Sequence, residues 1–206
     1  MIFLQCNKVE ESKTVSVEKD LKKIIFFGDS LTAGLGLAHP DESFPQLIHQ
    51  KLNAEGFDLK LIHAGVSGDT TSGGLSRLDW VLGRGVDYFI LELGANDGMR
   101  GVKTELIKEN LISMIRIVKK KNPKVKILLV RMLAFPNFGP LYVGKFNKIY
   151  PEVAKEESVA LSPFLLEKVA GIKNLNQKDG IHPTKEGHLL ILETLYPSVK
   201  TLLYKN

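Results

Sequence analysis

Three apolar runs in the first half of the chain each end on a glycine and a polar turn, and a stretch with helical spacing follows each turn. Ile24-Ile25-Phe26-Phe27 enters Gly28-Asp29-Ser30-Leu31-Thr32-Ala33-Gly34. Leu59-Lys60-Leu61-Ile62-His63-Ala64 enters Gly65-Val66-Ser67-Gly68-Asp69-Thr70, and Tyr88-Phe89-Ile90-Leu91-Glu92-Leu93 enters Gly94-Ala95-Asn96-Asp97-Gly98. Strand and helix in alternation argue for a parallel sheet covered on both faces, a three-layer α/β/α sandwich. In such sheets ligands bind beyond the carboxyl ends of the strands, where these polar turns fall. A chain of 206 residues, 44% of them apolar, can bury one full core and suggests one domain.

The helical stretches carry their own boundaries. Ser43 is placed to cap a helix with Phe44, Leu47, Ile48 and Leu52 on its buried face, stopped by Gly56. Asp69-Thr70-Thr71 opens a second, with Leu75, Leu78, Val81 and Leu82 inward. A third spans Thr104 to Lys121 with Leu106, Ile107, Leu111, Met114, Ile115 and Val118 as its apolar face, and Asn122-Pro123 stops it. Val125 to Met132 reads as a fourth strand and Val159-Ala160-Leu161 as a short fifth. A helix through Phe146, Tyr150, Val153 and Ala154 lies between them. Thr184 can cap a last helix whose Leu189, Leu190, Leu192, Leu195, Val199 and Leu202 face the core.

Ser30 is the candidate nucleophile. A serine hydroxyl needs a base, a group that orients the base, and donors for the oxyanion. Asp179-Gly180-Ile181-His182-Pro183 supplies the first two, since an Asp three residues before a His can fold its carboxylate back onto the imidazole. The Ser30 N–H, the Gly68 N–H and the Asn96 amide form a candidate oxyanion hole, for glycine lets a backbone N–H approach closely and Asn offers a side-chain donor. The order excludes an α/β-hydrolase, whose serine sits in a Gly-x-Ser-x-Gly elbow with acid and base on separate loops.

Taken together, Gly28-Asp29-Ser30-Leu31, Ser67-Gly68-Asp69-Thr70, Gly94-Ala95-Asn96-Asp97 and Asp179-Gly180-Ile181-His182-Pro183 resemble, in order and spacing, the four blocks of the SGNH (GDSL-type) hydrolases. The likeness is to the bacterial arylesterase, lysophospholipase and acyl-CoA thioesterase I branch, and it runs from about residue 24 to the C-terminus. It implies a flavodoxin-like fold with a mostly five-stranded parallel sheet. It also implies Ser30, Asp179 and His182 as the catalytic set, and Ser30, Gly68 and Asn96 as oxyanion donors. The expected reaction is hydrolysis of short to medium acyl or aryl esters, thioesters or lysophospholipids through an acyl-enzyme, with no metal or organic cofactor required.

Other polar residues in these stretches have plainer explanations. Asp69 suits the first turn of a helix, Asp97 braces its loop, His63 packs within a strand, and His188 lies inside a helix. Leu133-Ala134-Phe135-Pro136-Asn137-Phe138-Gly139-Pro140-Leu141-Tyr142, interrupted by two prolines, cannot be a plain strand or helix. Phe135 and Phe138 are its candidate substrate-binding residues, because ligand pockets are mostly apolar.

The formal charge of +5 comes with no nucleic-acid motif, and Lys119-Lys120-Lys121 fits a helix C-terminus on a solvated face. No apolar segment approaches the roughly 20 residues of a membrane-spanning helix. Residues 1–23 form an N-terminal tail ahead of the hydrolase domain at 24–206. Phe3-Leu4-Gln5-Cys6 resembles the end of a lipoprotein signal, although the apolar run is shorter than the roughly 7 to 15 residues of an h-region. Lipidation of Cys6 would attach the protein to a membrane of the cell envelope, and without it the expectation is cytoplasmic.

Three rival readings make separate predictions. A divalent metal held by Asp29, Asp69, Asp97, Asp179 and His182 predicts activity sensitive to chelator. A non-catalytic binding protein on the same fold predicts no turnover. A carbohydrate O-acetylesterase shares the expected site and differs only in substrate.

Overall fold

The computed structural model describes residues 21–204. Cys6 and most of the expected tail lie outside them. The elements alternate as the sequence predicts: β1 (Lys22–Gly28), α1 (Ser30–Ala33), α2 (Phe44–Ala54), β2 (Leu59–Gly65), α3 (Thr71–Leu82), β3 (Tyr88–Glu92), α4 (Ala95–Met99), α5 (Thr104–Lys121), β4 (Lys126–Arg131), α6 (Pro140–Glu156), β5 (Ala160–Phe164) and α7 (Lys185–Tyr204). The five strands form one parallel sheet in the order β2-β1-β3-β4-β5.

That order decides where the helices lie. The chain steps from β1 to β2 in one direction and from β2 through β3 to β5 in the other, so right-handed crossovers put the connecting helices on opposite faces. Helix α2 packs with α7 on one face, while α3, α5 and α6 pack side by side on the other. β1 and β3 are covered twice and are accordingly apolar, with Ile24, Ile25, Phe26, Phe27, Phe89, Ile90 and Leu91 buried. Phe27 and Phe89 meet across the β1–β3 pair with ring centroids 5.5 Å apart. The connections to these two parallel strands run to opposite sides of the sheet, which opens a crevice at their carboxyl ends.

Several local expectations are corrected. Ser43 does not cap α2 with its side chain; its hydroxyl donates to the Pro40 carbonyl. The first N–H of that helix, from Phe44, donates instead to Nδ1 of His188 on α7, whose ring stacks on Phe44. Leu106 and Leu189, expected on buried faces, are 43% exposed. His63 is exposed on edge strand β2 rather than packed. The stretch from Leu133 to Tyr142 holds a 3-10 turn at Pro136–Phe138 and then starts α6 at Pro140. Proline suits a first helical position because the N–H it lacks has no partner there. Among the described residues no helix is long and apolar enough to cross a membrane.

Candidate active site

β1 delivers Ser30 to the crevice through a turn that only glycine permits. A Cβ on Gly28 would run into the Thr32 hydroxyl and the Glu92 carboxyl, both packed against it. Asp29 caps the short helix α1 by accepting the Leu31 N–H at 2.9 Å. The Asp29 N–H donates to Glu92 Oε2 at 3.2 Å, and the Thr32 hydroxyl donates to the same oxygen at 2.8 Å. Ser30 is buried, and its N–H opens a helix, where no intrahelical acceptor exists.

The other half of the site arrives from the loop between β5 and α7. Asp179 Oδ1 accepts the N–H groups of Ile181 and His182 at 2.9 and 3.0 Å, which closes the turn the spacing predicts. Its Oδ2 lies 2.7 Å from His182 Nδ1, and His182 Nε2 lies 3.0 Å from Ser30 Oγ. A carboxylate can only accept, so Nδ1 carries the proton and Nε2 presents its lone pair to the serine hydroxyl. The His182 hydrogen bond, aided by the two backbone N–H groups, lowers the Asp179 carboxyl to about 2. Gln177, unremarked in the sequence, anchors this loop. Its Nε2 donates to the carbonyls of Leu35 beyond α1 and of Pro183, at 2.7 and 3.0 Å, and its backbone N–H donates to the His182 carbonyl. No local pattern marks it, because both distant partners are backbone carbonyls.

Asn96 stands in α4, directly after the strand beside β1, and its Nδ2 donates to Asp29 Oδ2 at 3.1 Å. Gly68 lies beyond β2 on the other side of β1, with φ +79°, a backbone setting that favours glycine. Its N–H donates to no acceptor among the described residues, while its carbonyl accepts from the Arg100 guanidinium at 3.0 Å. Asp97 braces its loop as expected, accepting the N–H and the hydroxyl of Thr71. Asp69 pairs with Arg77 at 2.7 Å.

Ser30 and Asn96 line a cleft of about 270 Å³ whose walls are mostly apolar, including Leu31, Met99, Met132, Phe135, Phe164 and Ile181. Phe135 is therefore in the wall. Phe138 is not: it turns to Tyr142, with centroids 5.8 Å apart, at the start of a row of tilted ring contacts that continues through Phe146 to Tyr150. Met132 and Phe164 escape sequence reading because they look like ordinary strand ends.

The metal reading finds no support in this arrangement. Asp69, Asp97 and Asp179 face Arg77, Thr71 and His182 respectively, and among the described residues no three His, Cys, Asp or Glu side chains gather at one point.

Known proteins resemble this chain in sequence and fold. The model of the GDSL-like lipase/acylhydrolase family matches residues 26–190. Esterase TesA of Pseudomonas aeruginosa is 38% identical over 181 residues, 87% of this chain and 89% of the relative. Thioesterase 1/protease 1/lysophospholipase L1 of Escherichia coli K12 is 32% identical over 181 residues, 87% of this chain and 84% of the relative. The crystal structure of the psychrotrophic esterase EstA from Pseudoalteromonas sp., inhibited by monoethylphosphonate, superposes with a TM-score of 0.83 at 32% identity, covering 89% of this chain and all of the other.

Proposed function

The chain belongs to the GDSL-like lipase/acylhydrolase family and is a serine-type ester hydrolase, and from that premise we propose that Ser30 attacks the ester carbonyl with His182 as its base and Asp179 orienting that base. The observation that carries this assignment is the continuous hydrogen-bonded line from Asp179 Oδ2 through His182 to Ser30 Oγ, at 2.7 and 3.0 Å.

His182 Nε2 takes the hydroxyl proton as Ser30 Oγ bonds to the carbonyl carbon. The charge that forms on the carbonyl oxygen is received by the N–H groups of Ser30 and Gly68 and by the Asn96 amide. The imidazolium, stabilised by the Asp179 carboxylate, then protonates the departing alcohol or thiol, which leaves an acyl-serine. Water repeats the sequence and releases the acid.

The substrate is an ester or thioester of a short to medium acyl chain. An apolar cleft of about 270 Å³ suits a hydrocarbon chain, and an acetyl group would leave most of it empty. A p-nitrophenyl ester series from acetate to dodecanoate tests the reading. The rate should peak beyond acetate, ignore chelator and vanish in His182→Gln. A peak at acetate would contradict the substrate assignment, and full activity in His182→Gln would contradict the catalytic one.

A further inference from the structure

Asp29 has no place in the proton-transfer line, yet it is 1% exposed directly beneath the nucleophile. Its two oxygens serve different partners. Oδ1 holds the Leu31 N–H of the turn that presents Ser30, and Oδ2 holds Asn96 Nδ2 at 3.1 Å.

The second contact has a chemical consequence. A carboxylate only accepts, so the amide facing it must present its nitrogen. That nitrogen carries two hydrogens: one is spent on Asp29, and the other is free for an oxyanion. Turned by 180°, the amide would occupy nearly the same volume but aim Oδ1, an acceptor, at the developing negative charge. Shape alone does not choose between the two orientations. The acceptor beneath the amide does.

We propose that Asp29 is a positioning residue for acyl transfer, its carboxylate setting the orientation of the Asn96 amide so that an N–H faces the oxyanion. This rests on the reading of Asn96 as an oxyanion donor. The surroundings keep Asp29 an acceptor at neutral pH. Burial raises its carboxyl to about 6, while the Leu31 N–H, the Asn96 amide, His182 and Glu92 pull against that rise. Burial, with the Asp29 charge adding to it, pushes the neighbouring Glu92 well above the usual carboxylate range, so Glu92 is the member of the pair that keeps a proton. Glu92 Oε1 is buried without a partner among the described residues, which a neutral acid tolerates better than a carboxylate.

A double-mutant cycle tests the inference. Asp29→Ser keeps a hydroxyl that can cap the Leu31 N–H but is too short to hold Asn96. Asp29→Asn keeps the wild-type volume but has one acceptor oxygen for two donors. Each is made alone and in Asn96→Ala, with kcat and KM measured separately on p-nitrophenyl butyrate and folding checked by circular dichroism. Asn96→Ala should lower kcat about a hundred- to a thousand-fold. Asp29→Ser should lower kcat at least about tenfold with KM within about twofold, since an oxyanion contact acts in the transition state. In the Asn96→Ala background the same change should cost less than about twofold, because the group it acts through is gone.

An equal loss in both backgrounds, or wild-type kcat in Asp29→Ser, overturns the inference and leaves the Asn96 assignment standing. Full activity in Asn96→Ala overturns both. Should Asp29→Ser fail to fold, Asp29→Asn is judged by the same criteria.

Discussion

Asp97 accepts both the backbone N–H and the hydroxyl of Thr71, at 2.8 and 2.6 Å, and so ties the loop after β3 to the first turn of α3. The two tied segments carry Asn96 and, three residues before Thr71, Gly68. Asn110 of α5 completes the tie by donating to the hydroxyls of Thr71 and Ser72, each at 3.0 Å. The two proposed oxyanion donors are thereby kept in fixed relation by one buried carboxylate.

Replacing that carboxylate should affect stability and rate together. Hydrogen bonds to a charged group contribute about 1.5 to 3 kcal/mol each, so Asp97→Ala should destabilise the fold by roughly 3 kcal/mol in urea unfolding. The surviving folded fraction should also show reduced kcat. Asn110→Ala should cost less on both counts, since it leaves the Asp97–Thr71 pair in place.

Phe135 and Phe138 should separate by what each touches. Phe135 borders the cleft, so Phe135→Ala should weaken kcat/KM for longer acyl chains by about 1 kcal/mol, roughly fivefold, and leave acetate nearly unchanged. Phe138 supports Tyr142, so Phe138→Ala should lower the melting temperature while chain-length preference stays as in wild type. Matching chain-length profiles in the two variants would contradict the placement of the wall.

His188 should govern part of the acid sensitivity of the fold. Burial lowers its imidazole to about 4 from the ordinary 6.5, and its Nδ1 accepts the Phe44 N–H only while unprotonated. Between those values the folded state binds fewer protons than the unfolded state. The stabilisation is fully present above pH 6.5 and is lost as pH falls through 4, amounting to roughly 3 kcal/mol. His188→Gln, which cannot titrate, should show a shallower fall in unfolding free energy between pH 6.5 and 4 while keeping its esterase activity. An unchanged slope would place the titrating group elsewhere.

Much of the candidate site is legible in the sequence for a physical reason: three of its residues follow strands closely along the chain, and the other two share one short turn. Ser30, Gly68 and Asn96 are placed by β1, β2 and β3, and Asp179 and His182 by a turn that their own hydrogen bonds close. What escapes notice depends on partners distant in sequence. Ser43 looks like a cap, but the cap arrives as His188 from the last helix. Gln177 anchors the His182 loop through carbonyls, which leave no trace in residue identity. Phe135 and Phe138 are three residues apart in one aromatic stretch, and the 3-10 turn at Pro136–Phe138 sends the second away from the cleft that the first borders. Leu106 and Leu189 fit a helical apolar period yet remain exposed, because periodicity marks a face without saying how far the neighbouring element covers it.

The role of Ser30 as nucleophile can be read by intact-mass spectrometry after treatment with a p-nitrophenyl phosphonate ester. One phosphonyl adduct per chain is expected, mapped to the peptide containing Ser30, with turnover lost in proportion to labelling. Ser30→Ala should take no adduct and hydrolyse no ester while melting like the wild type. An adduct on another residue, or ester turnover that survives in Ser30→Ala, would contradict it.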